Sequence, residues 1–356
     1  MTAQRVLALR ADATPRMGTG HVMRCVALAE EAAARGLHPV LLTTCEVPWL
    51  AQVLAAAPLT VIDAPETAED FRTRLGQLAP WAVVIDAYHI PKAHYLAAAA
   101  VAPLLAAYDG EPRHAHADVL YDQNIGADRS TPPSIDGALL LRGPSYAVVR
   151  DAIRKLRPVA PTRRILHRTG ATGRRKVLLV LGGTDARDAT LQLAGALLTQ
   201  IPELDLSVVT PDTSGARALT TAPGQRVDVI APTPALATSM AATDLVVSAA
   251  GTTTIELCCL GVPSALIQVV DNQAPVYQGA VSHGCAEGLG TLDTVLAHPH
   301  QTARQVHDLL AAPARRAELA ERAWQTVDNR GRQRILDAVG NIAADRHLPR
   351  QGKTVQ

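Results

Sequence analysis

Aromatic side chains are nearly missing from this 356-residue chain: they make up 3% of it, with a single Phe. Readers of single-stranded nucleic acid stack bases on aromatic platforms, and a formal charge of +1 offers no surplus of cations for a phosphate backbone. Nucleic acid is therefore not an expected partner. Cysteine is scarce as well. Cys25, Cys45, Cys258, Cys259 and Cys285 are odd in number and lack metal-ligand spacing, and they read as reduced, buried small hydrophobes. No run reaches the ~20 apolar residues of a membrane span; the longest candidate, Tyr95 to Ala107, is interrupted by Pro103. The first ten residues enter a strand pattern directly, with no apolar h-region or small-residue cleavage site, so a cytoplasmic protein without a membrane span is expected. Asp-x-Asp occurs nowhere, which leaves a metal-held diphosphate without evident ligands; no metal and no cofactor are expected.

Apolar residues are nonetheless plentiful at 48%, and the length fits two domains at ~100–200 residues each. Short Val- and Leu-rich runs at 6–10, 39–43, 60–62, 82–86 and 104–109 alternate with amphipathic stretches at 21–35, 48–56, 66–78 and 92–100, and further short strands follow at 119–121 and 139–141. The alternation resumes with strands at 176–181, 206–210, 227–230, 245–248 and 264–268. Such a pattern predicts an α/β chain of parallel sheets covered by helices on both faces. The Pro-, Gly- and Arg-rich stretch 157–175 reads as a mobile linker whose basic run is either solvated or near phosphate. The expected division is 1–156, linker 157–175, 176–328, a C-terminal helix at 329–346 and a polar tail at 347–356.

Two segments carry most of the chemistry, Arg10 to His21 and Ala250 to Glu256. Each reads as strand, glycine turn and helix start, an arrangement that aims free backbone N–H groups and a helix dipole at phosphate oxygens. As a dinucleotide fingerprint the first turn is incomplete: Gly18 and Gly20 fit, but Met23 stands where a third glycine is needed. It offers His21 instead, at the start of a helix whose dipole favours the neutral, proton-accepting imidazole; the same His could merely cap its own turn. Arg10 and Asp12 either position His21 or form a plain ion pair, and Arg24 is either a phosphate contact or a surface charge. Asp86 and Tyr88 end the fourth strand, where open α/β sheets place their ligands. The pair His114 and His116 lacks the partners of a zinc site. In the second half Gly182, Gly183 and Asp185 close a strand with room for phosphate or sugar, and Gly251, Thr252 and Thr253 supply donors at a helix N-terminus. Glu256 either accepts both hydroxyls of a ribose or caps its own helix, and Asn272 with Gln273 lies at another strand end.

In order along residues 5 to 275, Arg10-x-Asp12, Gly18-x-Gly20-His21-x-x-Arg24-Cys25, Asp86-x-Tyr88, Asp109, Asp122-Gln123-Asn124, Gly143-Pro144-x-Tyr146, Arg150, Gly182-Gly183-x-Asp185, Gly251-x-Thr253-x-x-Glu256 and Asn272-Gln273 resemble the UDP-2,4-diacetamido-2,4,6-trideoxy-β-L-altropyranose hydrolases of pseudaminic acid synthesis. That resemblance implies two Rossmann-like domains in the GT-B arrangement with an interdomain cleft. It implies a nucleotide sugar as the small-molecule partner, held by Gly251, Thr252, Thr253, Glu256 and Asn272-Gln273, its sugar directed at His21 and Tyr88. Water assisted by His21 would attack the anomeric carbon. A GT-B glycosyltransferase, or a nucleotide-sugar binder without catalysis, fits the same residues. Gly110, where the family usually carries a second acid, and Ala250, in place of a frequent glycine, depart from the pattern.

Overall fold

The computed structural model describes residues 4–109, 116–132, 135, 137–161, 173–182, 189–216, 218–233 and 235–347. Leu- and Val-rich segments, the central ones buried on both faces and the outer ones partly exposed, form two all-parallel sheets, as the alternation predicts. The first contains β1 (Val6–Arg10), β2 (His38–Thr43), β3 (Thr60–Asp63), β4 (Ala82–Ile85), β5 (Leu104–Ala107), β6 (Val119–Asp122) and β7 (Leu139–Arg142) in the order β3-β2-β1-β4-β5-β6-β7. The second contains β8 (Arg175–Val180), β9 (Leu204–Val209), β10 (Arg226–Ile230), β11 (Leu245–Ala249), β12 (Ser264–Gln268) and β13 (Glu287–Thr291) in the order β10-β9-β8-β11-β12-β13. Strand order reverses beside β1 and β4 in one sheet and beside β8 and β11 in the other. At such switch points the loops leaving the carboxyl ends diverge and open a crevice, which is where both candidate turns lie.

Helix Gly20–Ala34 covers the first sheet with Val22, Cys25, Val26 and Ala29, all essentially without solvent exposure. The last helix, Gly331–His347, follows the second half in sequence but docks on the first, burying Ile335, Leu336 and Val339 in the same core. Arg332 secures it: the guanidinium is 3% exposed, and Nη1 donates to Glu30 Oε2 at 2.8 Å. Among the described residues no helix is long and apolar enough to cross a membrane.

Several expectations need correction. Strand β13 was not foreseen, because Glu-Gly-Leu-Gly-Thr carries two glycines and no β-branched run; it survives as an edge strand paired to β12 with a register shift. Cys45 is exposed, beyond the end of β2, whereas the other four cysteines are buried and free. Most of the expected linker lies outside the described residues, but its start is anchored. Arg157 donates to the carbonyls of Cys259 (2.6 Å) and Trp324 (2.8 Å) near two helix ends, where the dipole favours a cation, and Trp324 Nε1 donates to the Pro158 carbonyl at 2.9 Å.

Leu336→Ala deletes a fully buried side chain from a core that draws on both ends of the chain. Unfolding in urea should show a loss of about 2–5 kcal/mol; an unchanged midpoint would mean that the last helix adds nothing to this core.

Candidate active site

The loop after β1 turns through Gly18, whose φ of +75° is in the region where a side chain is strained, and its N–H donates to the Thr14 carbonyl at 2.9 Å. Helix Gly20–Ala34 then begins with no side-chain cap. Three residues apart on its first turn, His21 and Arg24 share a face and meet the residue that follows β4. That residue, Asp86, is fully buried. Arg24 grips it with a fork, Nε to Oδ2 at 2.7 Å and Nη2 to Oδ1 at 2.5 Å; Tyr121 Oη donates to Oδ2 at 2.6 Å. Burial pushes the Asp86 carboxyl upward, but the Arg24 guanidinium and the hydrogen bonds from Arg24 and His21 outweigh it and hold the group well below the usual carboxylate range.

His21 Nδ1 lies 2.7 Å from Asp86 Oδ1. A carboxylate only accepts, so Nδ1 carries a ring proton, and Nε2 is the nitrogen not engaged by Asp86. Arg24 Nη2 is also 3.0 Å from Nδ1, but two donors do not bond each other, and its protons go to Asp86 and, at 2.9 Å, to Asp109 Oδ2. Tyr88 stands edge-on to the His21 ring at 4.4 Å and donates to Asp109 Oδ2 at 2.8 Å. Burial and the adjoining Asp109 carboxylate push the Tyr88 phenol above its ordinary value, so it stays protonated. Its geometry fixes the imidazole plane.

The facing turn leaves β11 at Ala249. Gly251 precedes helix Thr252–Leu260 and provides no side-chain cap, so the amides of Thr252 and Thr253 keep the free N–H groups of a first helical turn. Gln273 folds back, accepting from the Val269 N–H at 2.9 Å, and this sets the wall beside Gly251. Glu256, one turn into the helix, receives Arg150 Nη2 at 3.0 Å. At Gly20 the two halves touch: a Cβ there would stand 2.6 Å from Thr252 Oγ1, so a side chain at this position would require the Thr252 hydroxyl to move.

Both turns open onto one cleft of about 400 Å³, lined by His21, Arg24, Tyr88 and Asp109 on one side and by Gly182, Gly251, Thr252, Thr253, Glu256, Asn272 and Gln273 on the other. That volume falls in the range of small-ligand sites, ~300–1,000 Å³. No protein-family model matches the chain, and no curated protein matches it in sequence. Solved structures do. MurG of Acinetobacter baumannii superposes with a TM-score of 0.69 at 18% identity, covering 95% of this chain and 99% of that one. The spinosyn forosaminyltransferase SpnP gives 0.65 at 15% identity, covering 96% and 100%, and a UDP-GlcNAc 2-epimerase from Neisseria meningitidis bound to UDP-GlcNAc gives 0.64 at 11%, covering 95% and 100%. The chain has the GT-B fold.

Within that fold the expected site residues separate into three groups. His21, Gly18, Gly20, Arg24, Tyr88, Gly182, Gly251, Thr252, Thr253, Glu256, Asn272 and Gln273 line the cleft. Asp86 stands behind His21, and Arg10 and Asp12 form a buried pair off the cleft wall, Asp12 accepting from the Thr44 N–H at 2.6 Å and bonding His89 Nε2 at 2.7 Å. Arg24 directs its guanidinium at Asp86 and Asp109. Gly183, Asp185 and His114 lie outside the described residues. Reasoning from local motifs gave no role to Tyr121, Asp109 or Arg150, whose partners are 35, 85 and 106 residues away.

Because folding depresses the Asp86 pKa, the pairing adds stability above the unfolded value of ~3.9 and loses it as pH falls further. Asp86→Asn removes the buried carboxylate that Arg24 forks, leaving Arg24 with Asp109 alone, and should cost about 3–5 kcal/mol at pH 7. The gap between parent and variant in denaturant titrations should narrow at pH 3, and a constant gap would contradict this assignment.

Proposed function

We propose that the protein is a metal-independent nucleotide-sugar hydrolase, with UDP as the nucleotide. One observation carries this reading: an imidazole oriented through Nδ1 by a buried carboxylate shares a single cleft with the uncapped helix start at Gly251–Thr253. In this reading residues 1–156 with the last helix hold the sugar, and residues 176–328 hold the nucleotide.

His21 Nε2 takes a proton from water as the water oxygen bonds to the anomeric carbon. The bond from that carbon to the β-phosphate oxygen breaks, and its electron pair leaves with UDP, received by the amides of Thr252 and Thr253. Donors aimed at developing charge contribute on the order of 3 kcal/mol each, and the base roughly 10²–10⁴-fold. Asp86 holds the Nδ1–H tautomer and offsets the imidazolium charge; Tyr88 fixes the ring. Glu256 accepts hydroxyls of the ribose. The resemblance to the altropyranose hydrolases supports water as the nucleophile. Transfer to an acceptor hydroxyl is the second reading, favoured by the likeness to the forosaminyltransferase.

Purified protein incubated with UDP-diacetamido and UDP-N-acetyl sugars should release UDP equally with and without chelator. His21→Ala should slow release by roughly 10²–10⁴-fold while UDP still binds. Release only on addition of an acceptor alcohol would replace the hydrolase by a transferase, and unchanged turnover in the variant would remove His21 from the chemistry.

A further inference from the structure

Arg150 precedes the short helix Asp151–Arg154, where the chain leaves the first half; Val149 and Ile153 on either side of it pack in the core of the second half, and its guanidinium pairs there too. Nη2 and Nε both donate to one oxygen, Glu256 Oε1, at 3.0 and 3.3 Å, with side chains only 9% and 10% exposed. Oε2 of the same carboxylate takes no hydrogen bond from any described residue, and both residues line the cleft. A glutamate one turn into a helix has three rotatable bonds and would otherwise sample several rotamers. Pinning one oxygen fixes where the other stands.

We infer that Arg150 is a positioning residue for nucleotide selection: it fixes Glu256 so that Oε2 meets a ribose hydroxyl. The inference rests on the reading above that Glu256 takes the ribose. Arg150 itself needs no contact with the ligand.

Calorimetric titration of the full chain with UDP and with 2′,3′-dideoxy-UDP tests it. The parent should prefer UDP by roughly 10- to 100-fold, the worth of hydrogen bonds to a charged group. In Arg150→Met that preference should fall to within a factor of about three, with affinity for the dideoxy compound nearly unchanged. Arg150→Lys keeps the charge but loses the fork; its preference should lie between the two, and it carries the test if the Met variant fails to fold. Equal loss of both ligands in a variant would overturn the inference, since it would place Arg150 on the phosphates or in a purely structural role. A preference as large as the parent's would overturn it as well. A parent that does not discriminate at all would instead overturn the ribose contact of Glu256, on which the inference stands.

Discussion

The Arg24–Asp86 fork is the interaction on which the first wall of the cleft depends. A carboxylate without solvent contact is tolerated only when its lone pairs are met, and Asp86 meets them with Arg24, His21 and Tyr121, drawn from the helix after β1 and from β6. Helix, two strand ends and imidazole are thus aligned by one buried ion. The same Arg24 continues to Asp109 and so to Tyr88, which makes the wall a connected network rather than a set of independent side chains.

The second wall works differently. It presents backbone at an uncapped helix start after a glycine. The cation beside His21 is already neutralised by two carboxylates, Asp86 and Asp109. Contact between Gly20 and Thr252 sets the spacing between the walls.

Much of this was legible in the sequence because parallel strands buried on both faces leave continuous Leu and Val runs, and because turns that approach phosphate need glycine. The strands around β1, β4, β8 and β11, and the two turns, were readable for those reasons. What escaped depends on distance along the chain. No local pattern pairs Arg150 with Glu256 or Tyr121 with Asp86, and none tells the last helix which half it covers. Strand β13 escaped because its place comes from a neighbour, β12, rather than from its own propensity. Arg10, Asp12 and Arg24 were noticed as charges near the turn, but whether a charge faces ligand or interior is decided by packing. Here Asp12 braces the Thr44 amide.

The return of helix Gly331–His347 to the first half has a mechanical consequence. The polypeptide passes between the halves twice, once after Arg150 and again before Gly331, so they are tethered at two points instead of one. A body tethered at two points swings about the line joining them and resists twisting across it. Any relative motion of the halves is thereby confined to something near a single hinge axis.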